Sequence, residues 1–284
     1  EIWPYMFKNL KDKKIPLILL NARITKKTFN RWSKINFFSK LIFGMITIAY
    51  PQNLETKYFL KKFKLKKINY IGNLKFAQNT ENKIKFSNKL KYEFGHKKIW
   101  VASSTHQNEE IFCAKAHIEL KKKIKNLITI IIPRHVHRTN EIKTNIEKLK
   151  LKTSLHSHKL KSLKNTDIYI VDTFGETSKF HNIAASVFLG GSIIKRGGQN
   201  PLEAARYGAK ILHGPNIDNF KDVYKLLKNL KISKKVNTPK NLASSIIFKK
   251  NLKLGLKIKN IGEKIIKKTI RELNKLIINE VKKT

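Results

Sequence analysis

Residues Val187 to Glu203 read VFLGGSIIKRGGQNPLE and hold the densest set of phosphate-binding groups in the chain. Val187-Phe188-Leu189 is a compact apolar run of strand type. Gly190 and Gly191 end it, and Gly197 and Gly198 let the backbone come close to a ligand. Asn200 stands where a helix N-cap belongs, Pro201 at the first helical position, Leu202 next and Glu203 at the third. A helix starting there presents free N–H groups and the positive end of its dipole, which favour an anion such as phosphate. Arg196 adds a fixed charge just upstream. The same residues also suit a capped helix after a buried strand with no ligand, and at this level both readings stay open.

Stepping along the chain, apolar runs of strand length alternate with helical patterns, the mark of βα units and a parallel sheet. The first part predicts strands at Ile15–Leu20, Ile46–Ala49 and Ile68–Ile71, with helices near Trp32–Phe43 and Leu54–Phe63. The chain then turns polar, which sets a domain boundary at residues 80/81. The second part predicts a strand at Ile99–Ala102, a helix over Glu109–Lys125, and a buried strand Leu127–Ile132 stopped by Pro133. Further strands follow at Ile168–Val171, Val187–Leu189, Lys210–His213 and Ile232–Val236. Leu252–Val281 carries Ile261, Ile265, Ile266, Leu273, Leu276 and Ile277 at helical spacing, an apolar face expected to pack on the core of the second domain. Ligand loops of an open parallel sheet lie beyond the carboxyl ends of its strands. The candidate loops Ser103–Glu110, Pro133–Arg138, Asp172–Glu176, Gly190–Glu203 and Gly214–Phe220 all fall there.

The 284 residues carry a net charge of +42, which by itself suggests nucleic acid. Arginine, however, occurs only at 23, 31, 134, 138, 196, 206 and 271, and the lysines are spread along the whole length. Together with abundant Ile and Asn this is the bias of an A+T-rich coding sequence. No interleaved basic and aromatic motif accompanies it, so no nucleic acid is expected, while attraction to acidic lipid fits the charge. The single cysteine, Cys113, excludes an internal disulfide and reads as a small buried residue. The pairs His135/His137 and His156/His158 lack a nearby carboxylate or Cys cluster and read as exposed loop histidines, so no metal site is expected. Trp3 and Trp100 read as core or cleft-wall aromatics.

Taken in order, several short motifs become recognisable. They are Glu1-Ile2-Trp3-Pro4, Asn21-Ala22-Arg23, Gly72-Asn73-Leu74-Lys75-Phe76, Ser104-Thr105-His106 and Glu109-Glu110. Pro133-Arg134-His135, Asp172-Thr173-Phe174-Gly175-Glu176, Gly190-Gly191-Ser192, Arg196 to Glu203, and Gly214-Pro215 with Asn219-Phe220 follow. In this order and spacing the chain resembles the 3-deoxy-D-manno-octulosonic acid (Kdo) transferases, which move Kdo from CMP-Kdo onto a lipid A precursor. Small departures exist: Phe174 stands where the family usually has Met, Gln199 where it has His, and Ala77 where it has Asp.

The resemblance implies an α/β GT-B fold, two Rossmann-like domains facing a cleft. Residues 1–80 would be the remainder of an acceptor-side domain, and 81–284 a CMP-sugar-binding domain ending in the amphipathic helix. It assigns donor contacts to Pro133, Arg134, Phe174, Gly175, Glu176, Asn200, Pro201, Leu202 and Glu203, with Glu203 accepting from ribose hydroxyls. Lys75 corresponds to a lysine credited with transition-state stabilisation. Glu1, Ser104, Thr105, His106, Gly191, Ser192 and Arg196 are additional cleft candidates. No cofactor is implied beyond the CMP-Kdo donor. The family's general-base glutamate and membrane anchor lie ahead of Glu1, so the 284 residues alone are expected to be inactive, with the whole protein on the cytoplasmic face of the inner membrane. Another GT-B nucleotide-sugar transferase or an epimerase is the alternative, and a non-enzymatic nucleic-acid binder a more distant one.

Overall fold

The most apolar runs build the sheets. A computed structural model describes residues 2–77, 86–158 and 163–281. By internal contacts the chain forms two units, Glu1–Gln78 with Lys259–Thr284, and Asn79–Ile258. The expected assignment of the whole C-terminal helix to the second domain is thereby corrected.

In the first unit the order is α1 (Pro4–Asp12), β1 (Ile18–Ala22), α2 (Lys26–Lys34), α3 (Asn36–Phe43), β2 (Ile48–Pro51) and α4 (Leu54–Lys62). β1 and β2 pair in parallel, Ile18 opposite Ile48. Thr25 caps α2 by accepting from Thr28 N–H, and Asn53 caps α4 by accepting from Thr56 N–H. The stretch read as one helix over Trp32–Phe43 is two, because Ile35 leaves helical geometry at φ −110°, ψ 53°. Ile68–Ile71 is not a full strand: Ile68 makes a single parallel bridge to Ala49. Stacked rings of Phe29 on Phe59 and Phe43 on Phe63 fill the core, at centroid distances of 4.2 and 4.5 Å. Trp3 is 60% exposed and is not a core residue.

The second unit runs α5 (Asn88–Gly95), β3 (Lys98–Thr105), α6 (Glu109–Lys121), β4 (Leu127–Pro133), α7 (Thr139–Glu147), β5 (Thr153–Leu155) and β6 (Ile168–Ile170). It continues with α8 (Thr177–Ile183), β7 (Ser186–Leu189), α9 (Leu202–Arg206), β8 (Lys210–His213), α10 (Lys221–Asn229), β9 (Ser233–Lys235) and α11 (Pro239–Ser245). The last helix, α12, spans Leu252–Val281. The seven strands pair in parallel in the order β5-β6-β4-β3-β7-β8-β9. The chain runs outward from β3 through β4 to the edge strand β5, comes back with β6 between β5 and β4, then crosses to β7 on the other side of β3. The strand order therefore reverses between β3 and β7, the place where open α/β sheets form a ligand crevice. β4 is buried at every position, as a central parallel strand covered on both faces must be.

Within the first unit, α12 lies against the segment after α4. A Cβ on Gly262 would fall 1.9 Å from the Phe76 carbonyl oxygen, so the helix and that segment meet at backbone distance. Asn69 donates to Glu272 at 2.8 Å. The packed stripe is narrower than expected, since Ile266 and Ile277 are exposed while Ile261, Ile265, Leu273 and Leu276 are half-buried. Among the described residues no helix is long and apolar enough to cross a membrane.

At the amino end of β6, Asp167 ties three elements together. Its carboxylate accepts from Lys152 N–H at 2.9 Å and pairs with Lys121, and His117 Nε2 lies 3.8 Å away. Burial alone would raise this carboxyl, but His117, Lys121 and the Lys152 N–H outweigh it and hold it well below its ordinary 3.8. A depressed folded-state value stabilises above the unfolded one and is lost as pH falls through the folded one. Asp167→Asn should cost about 2 kcal/mol near neutrality. The gap to the parent in denaturant melts should narrow steadily below about pH 4, and a pH-independent gap would contradict this assignment.

Candidate functional site at the carboxyl ends of the strands

The crevice begins with a tight fit between two strand ends. Gly190 N–H bonds the Ser103 carbonyl at 2.9 Å. A Cβ on Gly190 would lie 2.3 Å from the Ser104 oxygen, so only glycine fits. Ser104 sits at φ +54°, which bulges the end of β3 and lets Arg134 N–H reach the Thr105 carbonyl at 2.9 Å.

A buried carboxylate then shapes both loops. Glu109, at the start of α6 and fully buried, accepts from the N–H groups of His106 (3.0 Å), Gly191 (2.6 Å), Ser192 (3.0 Å) and Ile193 (2.9 Å). Sequence reasoning placed Glu109 in a motif and gave it no role. The only signal was an acidic pair in the first turn of a helix behind a short polar loop. Its neighbour Glu110 is also buried and pairs with Arg138 at 3.0 Å. Burial pushes the Glu110 carboxyl up, against the pull of that guanidinium.

Three further side chains pin the loop after β7. Asn216 donates to the carbonyls of Ser192 and Ile193, Asn219 donates to the Arg196 carbonyl at 3.0 Å, and the Tyr224 hydroxyl donates to the Gln199 carbonyl at 3.1 Å. The Ser192 hydroxyl donates to the Leu189 carbonyl and accepts from Gly214 N–H. Ser192 and Thr105, two of the additional cleft candidates, are fully buried beneath these loops.

What the pinned loops present is positive. His106 Nε2 is buried without a hydrogen-bond partner among the described residues, and it lies 3.4 Å from where a Gly191 Cβ would be. Burial lowers the His106 pKa, Glu109 opposes this, and His135, Arg196 and Arg134 lower it further. The His106 and His135 rings lie 5.7 Å apart between centroids, and Arg134 and Arg196 are near enough to act on the same imidazole. The lowered value favours the neutral imidazole, which can donate from Nε2, and Arg134 and Arg196 are both exposed. Gly191 itself has φ +65°, a conformation that turns its N–H inward to Glu109.

The other expected donor residues lie at neighbouring strand ends. Pro133 is buried at the end of β4. Phe174 and Gly175 stand in the loop after β6, with Phe174 82% exposed and nothing within 4 Å of a Cβ built on Gly175. Glu176 pairs with Lys179 and faces His156 Nε2 at 3.2 Å. His156 is therefore half-buried, unlike the exposed loop histidine expected, while His135, His137 and His158 are exposed. α9 begins at Leu202, one residue later than expected, yet Asn200 Oδ1 still accepts from Leu202 N–H at 3.1 Å. Leu202 is fully buried and can offer a ligand only its backbone. The Glu203 carboxylate faces His181 Nδ1 at 3.9 Å. Burial raises the Glu203 carboxyl, and Ser178 and Arg206 oppose it. Among the described residues no group of three or more His, Cys, Asp or Glu is placed to hold a metal.

Lys75 belongs to the first unit. There Asn21 Oδ1 accepts from Leu74 N–H at 3.1 Å, joining two motifs 53 residues apart, and Asn73 Oδ1 accepts from Lys75 N–H at 2.9 Å. Burial, then the charge of Arg23, lowers the Lys75 pKa. Glu1 lies outside the described residues.

A family model described as 3-deoxy-D-manno-octulosonic-acid transferase (kdotransferase) matches residues 1–78. A 3-deoxy-D-manno-octulosonic acid transferase of Rickettsia bellii is 30% identical over 99% of this chain and 66% of its own. One of Haemophilus influenzae is 29% identical over 84% of this chain and 57% of its own. The chain belongs to the Kdo transferase family. It spans roughly three fifths of the length of these curated Kdo transferases. Among solved structures, the C-terminal CMP-Kdo binding domain of WaaA from Acinetobacter baumannii aligns with a TM-score of 0.52. It is 21% identical and covers 63% of this chain and 92% of that one. A glycosyltransferase from Rickettsia africae aligns at TM-score 0.54 and 13% identity, covering 96% of this chain and 80% of that one. At these identities the likeness speaks to fold, and the fold of this Kdo transferase family chain is α/β of the GT-B class.

Proposed function

We propose that this protein is a glycosyltransferase that moves Kdo from CMP-Kdo to a lipid A precursor such as lipid IVA, in lipopolysaccharide core biosynthesis. The observation that carries the reading is the gathering of Arg134, Arg196, His135 and a His106 Nε2 without a partner among the described residues, around the Glu109-pinned loop of the second unit. Such a cluster suits the phosphate that CMP-Kdo leaves behind. As the bond between the anomeric carbon and the phosphate oxygen breaks, negative charge grows on the phosphate, and fixed cations and N–H donors favour it. Glu203 would accept from the ribose hydroxyls, and the Phe174-Gly175-Glu176 loop would hold the cytosine.

Lys75, with its lowered pKa, would stabilise charge during transfer, which proceeds with inversion and needs a general base on the acceptor hydroxyl. No cofactor or metal enters the proposal. The basic surface would favour acidic lipid at the cytoplasmic face of the inner membrane, where the acceptor lies.

The test is nucleotide choice. CMP should raise the melting temperature and UDP should not. Arg134→Ala and Glu203→Ala should each weaken CMP binding by about tenfold or more, the scale of losing a hydrogen bond to a charged group. Stabilisation by UDP alone would favour another nucleotide-sugar enzyme. Unchanged CMP affinity in both variants would remove this placement of the donor.

A further inference from the structure

The loop Asp172–Glu176 is held at both ends by the residues just after β5. Ser157 N–H donates to Asp172 Oδ1 at 2.8 Å, and the Ser157 hydroxyl donates to Asp172 Oδ2. At the other end, His156 Nε2 lies 3.2 Å from the Glu176 carboxylate, which Lys179 also meets. His156 Nδ1 and the Tyr169 hydroxyl are 2.7 Å apart. The imidazole is packed against the rings of Phe180 and Tyr169, at 5.3 and 5.7 Å between centroids.

The protonation states make this arrangement self-consistent. Burial pushes the His156 pKa down, with Glu176 opposing and Lys179 adding to the fall, so the ring is neutral near neutral pH. Burial, then the charges of Asp172 and Glu176, raises the Tyr169 phenol, which stays protonated. The phenol can therefore donate to Nδ1. That leaves the single imidazole proton on Nε2, facing the Glu176 carboxylate. Between the two fixed ends, Phe174 is 82% exposed. A large apolar ring held out on a loop with fixed ends offers a stacking face to a planar base.

We propose that His156 and Ser157 are positioning residues that clamp the loop Asp172–Glu176 and hold Phe174 out as the platform for the base of the donor nucleotide. The proposal rests on the reading that this loop meets the base of CMP. It assigns His156 and Ser157 a part in base recognition through their neighbours, with no contact of their own to the phosphate.

The experiment compares CMP with ribose 5-phosphate, which lacks the base, by calorimetry on the full 284-residue chain. Ser157→Ala, His156→Leu and Phe174→Ala should each weaken CMP by roughly tenfold, the scale of a stacking contact or a charged hydrogen bond. Ribose 5-phosphate affinity should stay at the parent's value, which also reports that the fold is intact. Ser157→Thr, which keeps the hydroxyl, should retain most of the CMP affinity. Unchanged CMP binding in all three variants overturns the clamp, and so does an equal loss of both ligands, the sign of a merely structural role. A parent that binds neither ligand overturns the donor-site reading itself, and one that binds both equally removes the base-recognising loop.

Discussion

Glu109→Gln is expected to destabilise the second unit and abolish most of its nucleotide affinity. The carboxylate accepts from four N–H groups, those of His106, Gly191, Ser192 and Ile193. A glutamine offers one carbonyl oxygen, and its NH2 would face donors where the second oxygen stood. At least two buried N–H groups lose their partner, at about 1–3 kcal/mol each. A total of about 4 kcal/mol is a large share of the stability of any domain. The loop that carries Arg196 is then free to leave the crevice, and CMP affinity should fall by more than the roughly tenfold expected of a single contact residue. Denaturant melts and CMP titration of the same preparation check both parts. Near-parental values in either would mean that the carboxylate is not what shapes the loop.

Gly190→Ala should be as damaging for a different reason. Its Cβ would sit 2.3 Å from the Ser104 oxygen and 2.6 Å from the Thr105 Cα, both backbone atoms of β3. Neither can rotate away, so β7 and β3 must separate at the crevice, and the Gly190 N–H bond to Ser103 goes with them. Overpacking of this kind costs about 3 kcal/mol, and the lost bond adds to it. Gly95→Ala is the matched control, because a Cβ there meets nothing within 4 Å. It should change stability by less than about 1 kcal/mol, toward greater stability at the end of a helix. Similar melts for the two variants would show that the close approach of β3 and β7 is not stability-determining.

Much of the second unit was legible because its strands are continuous apolar runs ended by Pro133 or Gly190. β4 and β7 fall within a residue of the expected Leu127–Ile132 and Val187–Leu189. β5 was missed, since Thr153–Leu155 is a three-residue edge strand between Lys152 and His156 and carries no apolar run. The first unit read less well. Its strands are short, and one of its packing partners, the helix from Lys259 onward, comes from the far end of the chain. An amphipathic pattern says that a helix has an apolar face; it does not say which unit covers that face.

The sequence by itself determined the α/β class, the strand-end location of the candidate loops and, through motifs in order, the family. Those properties rest on local chemistry: apolar runs, glycine at close approaches, caps and breakers. The tertiary structure alone decided which polar groups are fasteners and which face a ligand. Glu109 meets Gly191, Ser192 and Ile193 across 82 to 84 residues, and Ser157 meets Asp172 across 15. In a chain with 61 basic and 19 acidic residues, charge type gives little contrast along the sequence. Only burial separates a carboxylate that holds four amides in place from one that faces solvent, and burial is set by the register of parallel strands whose partners lie far apart in the chain.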